Sequence, residues 1–143
     1  MKVILDDGYL VQDGFNTGNV IVDDEKALIF VMYTFCNHHK GCNVSSTMLV
    51  QSSDDGVTWS RPTNVSLQTG TKQFAPGPGV GLQKKLAPNK GRLISCGHGD
   101  GVHCLLSDDH GLTWRWGGSL QDQGSFQPDE CQSGFFRSGS GAI

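Results

Sequence analysis

The stretch Ser52-Ser-Asp54-Asp-Gly56-Val-Thr58-Trp59 returns later in the chain as Ser107-Asp-Asp109-His-Gly111-Leu-Thr113-Trp114. Both stretches fit the pattern S-x-D-x-G-x-T-W at every fixed position, and the second follows the first by 55 residues. An apolar stretch of strand length precedes each copy, at residues 47–50 and 102–106. The repeat therefore predicts two equivalent structural units.

Each copy of the pattern predicts a β-hairpin with a specialised turn. The aspartate is expected to accept hydrogen bonds from backbone amides of the turn. The glycine supplies a position with positive φ, and the tryptophan packs over the hairpin. Structural roles are therefore predicted for the fixed positions of both copies: Ser52, Asp54, Gly56, Trp59, Ser107, Asp109, Gly111 and Trp114.

The rest of the chain indicates an all-β fold. Strand-like apolar stretches occupy residues 20–22, 27–35 and 91–95, and no stretch has sustained helical periodicity. The 20 glycines fall between the apolar runs, as turn-rich antiparallel sheet requires. The repeat length suits four-stranded β-propeller blades, of which about two to three fit the chain. Since a propeller must close on itself, residues 1–143 are expected to be a partial propeller domain or to associate with further blades.

Charge and composition exclude several classes of protein. The formal net charge of −3 leaves no basic surface for nucleic acid. No apolar run approaches the roughly 18 residues that a membrane-spanning helix needs. The first residues, Met-Lys-Val-Ile-Leu-Asp-Asp, lack the apolar region of a signal peptide. The chain as written is therefore expected to carry no secretory address.

Cysteines and sequons nevertheless point to the secretory route. Cys36 and Cys42 flank one polar loop, and Cys96 and Cys104 flank a second. A disulfide within each pair can close a short loop, and Cys131 then has no cysteine to pair with. N-x-[ST] sequons stand at Asn43 and Asn64. Together these features favour an oxidising compartment over the cytosol.

Three other chemical interpretations suit these residues less well. The C-x5-C and C-x7-C spacings, with five histidines nearby, fit no common zinc pattern, so disulfides or buried thiols are favoured and no metal is expected. The glycine run at residues 77–81 lacks the Lys-[Ser/Thr] of a phosphate-binding loop. Tyr33 is predicted to lie in the core, and Tyr9 matches no catalytic motif.

The repeat resembles the Asp box of sialidases, which also occurs in sortilin-type receptor propellers. Further segments resemble animal lysosomal sialidases: Phe-Ala-Pro-Gly-Pro-Gly-Val-Gly-Leu-Gln at 74–83, Lys-Gly-Arg-Leu-Ile-Ser-Cys-Gly-His at 90–98, Cys-Leu-Leu-Ser-Asp-Asp-His-Gly at 104–111 and Pro-Asp-Glu-Cys-Gln at 128–132. The resemblance extends over roughly residues 3–132. It corresponds to about the middle third of the family's length.

This resemblance implies a six-bladed propeller and an exo-α-sialidase that acts with retention of configuration. The family's nucleophile is a tyrosine, because the substrate's own carboxylate would repel a carboxylate nucleophile. A glutamate activates the tyrosine, an aspartate is the acid and base, and three arginines bind the substrate carboxylate. Among these groups only the activating glutamate finds a match, at Glu130. No cofactor is implied.

Other site residues follow from the same resemblance. Gln83 and the glycine run before it are expected to line the substrate pocket. The four arginines match none of the three that bind substrate: Arg61, Arg92, Arg115 and Arg137. The catalytic aspartate and one arginine are expected upstream of Met1, and two arginines and the tyrosine beyond Ile143. The chain alone is therefore expected to be inactive.

The resemblance also implies a biological setting. Substrates would be sialylated glycoproteins, oligosaccharides and gangliosides, the location would be the lysosome, and the partner would be protective protein (cathepsin A). Asn64 is the better glycan acceptor by this resemblance. The alternative is a non-enzymatic Asp-box propeller segment that serves as a binding or interaction module. The flanking sequence discriminates, since the enzyme needs an upstream Phe-Arg-Ile-Pro and a downstream tyrosine with two arginines.

Overall fold

The computed structural model describes residues 4, 13–37, 43–70, 74–99, 101–120 and 130–134. This part of the chain contains β-strands and one short helix. In chain order they are β1 (Asp13–Asp23), β2 (Leu28–Asn37), β3 (Asn43–Ser52), β4 (Thr63–Asn64), α1 (Val65–Thr69), β5 (Ala75–Pro76), β6 (Gly79–Val80), β7 (Leu82–Gln83), β8 (Leu93–Gly99), β9 (Gly101–Ser107) and β10 (Arg115–Leu120).

The strands form two sheets. The strand order is β4-β3-β2-β1-β6 in the first sheet and β10-β9-β8-β5 in the second, where β7 also pairs with β8. The long strands β1, β2 and β3 pair antiparallel, as do β8, β9 and β10. This arrangement confirms the predicted all-β class.

The two sheets are built alike around the sequence repeat. Residues 52–59, here called the first repeat turn, connect β3 to β4, and residues 107–114, the second repeat turn, connect β9 to β10. The strand registers agree as well, because Ser52 lies opposite Ile29 and Ser107 lies opposite Leu93. The two copies of the pattern therefore occupy equivalent places in two equivalent sheets.

Residues 75–83, here called the edge segment, cross the edges of both sheets. In this segment β5 pairs with β8, β6 pairs with β1, and β7 pairs with β8 again. The pairing of β6 with β1 is parallel, which the expected antiparallel meanders did not include. It arises because the segment pairs with the second sheet at β5, with the first sheet at β6 and with the second sheet again at β7. The edge segment thus joins the two sheets.

The helix α1 is a second addition to the predicted architecture. Asn64 caps its N-terminus, since the Asn64 Oδ1 accepts a hydrogen bond from the Leu67 amide at 3.2 Å. Gly70 ends it in the left-handed conformation, with φ at 70°. At 5 residues, this helix is too short for its periodicity to be visible in the sequence.

The core lies between the two sheets. Ile21, Phe30 and Met32 from the first sheet are fully buried, and so is Leu93 from the second. The remaining members of the same cluster are Leu49, Val65, Phe74, Leu105 and Trp114. Burying a large apolar side chain contributes about 1.5–3 kcal/mol, so this cluster holds the sheets together. Tyr33 is 6% exposed, which confirms its predicted place inside the protein.

Candidate functional site

The stretch predicted to line the substrate pocket and the stretch that holds the predicted base, Glu130, meet in the structure. Residues 130–134 lie against the edge segment, where a Cβ on Gly77 would overlap the carbonyl oxygen of Cys131. A Cβ on Gly79 would lie 3.1 Å from the Gln132 side chain. Gly77 is therefore needed for this close approach. Glu130, at the start of the segment, is exposed to solvent.

Two further contacts fix residues 130–134 to the second sheet. The Cys131 thiol donates to the carbonyl oxygen of Gly97 at 3.6 Å, and the Ser133 hydroxyl donates to the sulfur of Cys96 at 3.2 Å. Burial raises the pKa of the Cys131 thiol. Cys131 is therefore an anchor for the segment that carries Glu130, and it is the free cysteine that the sequence left over.

Gln83 lies in the predicted stretch but not at the surface. Its side chain is buried, with the residue 3% exposed, and both ends of its amide are bonded within the protein. The nitrogen donates to Asp23 at 2.6 Å, and the oxygen accepts from the Asp24 amide at 3.0 Å and from Lys85 at 3.2 Å. Gln83 thereby ties the edge segment to the turn after β1. Its role in substrate binding stays a prediction.

Asp23 is a buried carboxylate at which both sheets meet. Besides Gln83, it accepts hydrogen bonds from the amides of Glu25 and Lys26, at 3.0 and 3.2 Å. His110 from the second repeat turn lies 2.7 Å from its other oxygen. Burial raises the pKa of Asp23, but the bonds from His110, Gln83 and Lys26 outweigh it and leave the pKa lowered. Asp23 is therefore held as a carboxylate, and no sequence motif signals this cluster.

The two repeat turns share one set of hydrogen bonds. The serine hydroxyl donates to the aspartate at 2.8 Å in the first turn and 2.9 Å in the second, and it accepts from the glycine amide at 2.9 and 2.8 Å. The aspartate also accepts from the threonine amide at 2.8 and 2.9 Å. The glycines have φ of 80° and 85°. The hydrogen bonds of the serine, aspartate and threonine in the pattern therefore fix both turns in the same conformation.

These bonds keep the turn aspartates ionised. The Thr58 hydroxyl and amide, with the Ser52 hydroxyl, lower the pKa of Asp54 to about 2. Burial raises the pKa of Asp109, but the bonds from Thr113 and Ser107 outweigh it, so this pKa is lowered too. Both turns accordingly keep their charged form, and their hydrogen bonds, in moderately acidic solution.

The turns differ in what they touch. A Cβ on Gly111 would lie 2.5 Å from the ring of Phe30, and Trp114 is 3% exposed in the core between the sheets. A Cβ on Gly56 would lie near the ring of Trp59, at 3.6 Å, and Trp59 is half-buried. The second turn is thus seated on the first sheet. Sequence alone predicted equal turns and missed this contact.

Two of the arginines are engaged in ion pairs. Arg92 binds Asp108 with its Nε at 2.6 Å and a second nitrogen at 3.0 Å, and Arg115 binds the same carboxylate at 2.8 Å. These pairs lower the pKa of Asp108, the hydrogen bond from Arg92 most of all. Arg61 is exposed in the link after the first repeat turn.

The disulfide predicted in the second sheet is present. Cys96 and Cys104 face one another across β8 and β9 and are bonded, with their Cα atoms 4.2 Å apart. Cys36 is also disulfide-bonded, and Cys42, with which the sequence paired it, lies outside the described residues. His38 and His39 lie outside them too. Among the residues that are described, no group of three or more metal-binding side chains comes together.

The two sequons lie at the ends of different strands of the first sheet. Asn64 is partly buried as the cap of α1, and Ser66 of the same sequon is 7% exposed and accepts a hydrogen bond from the Thr47 amide at 2.8 Å. Asn43 is the first residue of β3. In the described part of the chain, no helix is long and apolar enough to cross a membrane.

Two sheets with a shared turn motif define a repeat protein, and the comparisons agree. Residues 2–140 match the BNR repeat-like domain family, to which the chain therefore belongs. A sialidase of Micromonospora viridifaciens is 30% identical over 125 residues, a match that covers 73% of this chain and 19% of the bacterial protein. The predicted relationship to sialidases is thus confirmed at the level of the family.

Solved structures give the same picture. The Hadza microbial sialidase Hz136 is 26% identical, with a TM-score of 0.65 over 77% of this chain and 25% of that one. The intramolecular trans-sialidase from Ruminococcus gnavus is 15% identical with a TM-score of 0.61, over 78% of this chain and 45% of that one, and shows the shared fold. The chain spans about a fifth of the bacterial sialidase sequence and a quarter of the Hadza structure.

Proposed function

We propose that the chain forms part of a six-bladed sialidase propeller and that its parent protein, the full-length protein containing these residues, is an exo-α-sialidase. The observation that carries the proposal is the docking of residues 130–134 on the edge segment. It packs Cys131, the neighbour of the exposed Glu130, against Gly77 of the glycine run, in a chain whose relatives are sialidases. Each sheet supplies one blade, and the repeat turns are Asp boxes on the outer hairpins.

In this mechanism Glu130 takes the proton of a tyrosine supplied elsewhere in the parent protein. A tyrosine has a pKa of about 10, so it needs a neighbouring base to attack the anomeric carbon at acidic pH. The acid for the glycosidic oxygen and the three arginines for the substrate carboxylate also come from the rest of the parent protein. Arg92 and Arg115 do not serve that purpose, because both bind Asp108.

Within the sialidases, we propose that the parent protein is an animal lysosomal sialidase. The Phe-Ala-Pro-Gly-Pro-Gly and Pro-Asp-Glu-Cys-Gln stretches support it, and so do a disulfide and turn carboxylates with lowered pKa, which suit an oxidising route and an acidic compartment. Sialylated glycoproteins, oligosaccharides and gangliosides are the proposed substrates. Protective protein (cathepsin A) is the proposed partner, on the family resemblance alone.

Glycosylation at Asn64 gives one test of this setting. A glycan bonded to the side-chain nitrogen leaves Oδ1 as the cap of α1, so the modification is compatible with the fold. We expect peptide mapping of protein made in the secretory pathway to find a glycan at Asn64. The Asn64→Asp variant should lose the glycan and keep its thermal stability, because aspartate caps helices as well as asparagine does. Asn64→Ala should lose the glycan and about 1 kcal/mol of folding free energy. An unmodified Asn64 in such a product would count against the assignment.

The activity itself is tested with a fluorogenic α-sialoside and the parent protein. Turnover at acidic pH supports the proposal. Binding of sialylated glycans without any turnover would instead support the alternative, a propeller that serves as a binding module.

A further inference from the structure

The segment that carries Glu130 is fixed by side-chain contacts. In the part of the chain that the structure describes, residues 130–134 belong to no strand or helix, so no ladder of backbone hydrogen bonds fixes them. Cys131 and Ser133 are half-buried, and the residues beside and between them are exposed. Such alternation is typical of an extended chain with one side against the protein. Cys131 and Ser133 therefore face the second sheet, and Glu130 is on the open side.

Cys96 and Gly97 of β8 are the residues that Cys131 and Ser133 contact. The Ser133 hydroxyl donates to the Cys96 sulfur at 3.2 Å, and the Cys131 thiol donates to the Gly97 carbonyl oxygen at 3.6 Å. The Cys96 carbonyl oxygen also accepts a hydrogen bond from the Gly77 amide at 2.9 Å. One point of β8 therefore holds both the edge segment and the segment of the predicted base.

The disulfide between Cys96 and Cys104 fixes this point of β8. It joins β8 to β9 at two residues that lie directly opposite one another in the register. It also lies near the turn of this hairpin, where Gly99 pairs with Gly101. The end of a hairpin opens more readily than the centre of a sheet, because fewer contacts hold it. The disulfide therefore keeps the Cys96 sulfur in place as the acceptor for Ser133.

We propose that Ser133 and the disulfide between Cys96 and Cys104 position Glu130 for catalysis. The inference rests on the proposed function, in which Glu130 takes the proton of a tyrosine. A base must lie within about 2.6–3.2 Å of the atom that carries the proton. A misplacement of about 1 Å can cost about 10²-fold in rate. Ser133 and the disulfide act through Glu130 and not on the substrate, so they are positioning residues.

The test is steady-state kinetics of the parent protein with a fluorogenic α-sialoside. Ser133→Ala should lower kcat about tenfold, because the base is held less precisely, and should leave KM nearly unchanged. Ser133→Thr keeps the hydroxyl and should restore most of kcat. Replacing Cys96 and Cys104 together by alanine should lower kcat at least as much as Ser133→Ala. The control is Cys36→Ala, which removes a disulfide of the first sheet and should leave kcat unchanged.

A double-mutant cycle separates positioning from a general loss of structure. Ser133→Ala should lower kcat no further in the Glu130→Gln protein, because the serine acts only through the base. Circular dichroism verifies that each variant is folded. The proposal is overturned if Ser133→Ala leaves kcat unchanged, or lowers it equally with and without Glu130, in a protein that Glu130→Gln impairs. A parent protein without turnover, or one that Glu130→Gln does not impair, would instead contradict the proposed function itself.

Discussion

Replacing Glu130 by glutamine in the parent protein is expected to lower kcat for a fluorogenic sialoside about 10²–10⁴-fold, the usual effect of removing a general base. Glutamine keeps the size of the side chain, but it replaces one carboxylate oxygen by an N–H donor and accepts no proton. Glu130 is exposed, and its neighbours Cys131 and Ser133 hold the segment, so the fold should not change. KM should change little, because the substituted group acts on the tyrosine and not on the substrate.

The matched control for this change is Glu25→Gln. Glu25 is also an exposed carboxylate, 3.4 Å from Lys90 in a surface pair, and such pairs contribute about 0–1 kcal/mol. We expect this variant to keep full activity. If Glu130→Gln and Glu25→Gln behave alike, Glu130 is not the base.

The second large effect is on folding stability and concerns the packing of the second repeat turn against the first sheet. Gly111→Ala should destabilise the chain by about 2–5 kcal/mol, whereas Gly56→Ala should cost only about 1–2 kcal/mol. Both glycines have positive φ, at 85° and 80°, so the backbone strain of an added Cβ is the same, about 1–2 kcal/mol. Only the methyl group added at position 111 would collide with a fully buried ring, that of Phe30. Overpacking of this kind adds about 1–3 kcal/mol.

Urea unfolding of the two variants measures this difference. Combining Gly111→Ala with Phe30→Leu provides the control, because the smaller side chain makes room for the methyl group and the two effects should not add. Equal losses for Gly111→Ala and Gly56→Ala, or strictly additive effects in the double variant, would contradict the packing of the second turn on the first sheet.

Much of the fold was predictable because it repeats. The S-x-D-x-G-x-T-W pattern places its serine, aspartate, glycine and threonine in one local hydrogen-bond network, so two copies predict two equal turns and two equal sheets. The parallel pairing of β6 with β1 was not predictable, because Gly79–Val80 contains only two residues of strand. Its position depends on which sheet edges are near, and a local pattern does not carry that information.

In the candidate site, too, some residues were predictable from sequence and others were not. Glu130 and the glycine run were found by resemblance, and the structure packs Cys131, the neighbour of Glu130, against Gly77 of that run. The Asp23 cluster was invisible, because its partners Gln83 and His110 are 60 and 87 residues away in the chain. Gln83 was predicted to line the pocket, and the structure shows in addition that its buried amide bonds within the protein, which no motif indicates. Buried polar contacts between distant segments follow from packing and not from any local motif.

The most direct test of the central claim is one assay of two proteins side by side, the 143-residue chain and its parent protein, with a fluorogenic α-sialoside at acidic pH. The parent should turn the substrate over and the chain should not. Of the groups the mechanism needs, the chain supplies Glu130 but not the tyrosine, the acid or the three arginines. Each charge-assisted hydrogen bond from an arginine to the substrate carboxylate is worth about 1.5–3 kcal/mol, so the loss of the arginines alone should abolish turnover. Turnover by the chain that disappears with Glu130→Gln would contradict the account, and so would a folded parent protein without sialidase activity.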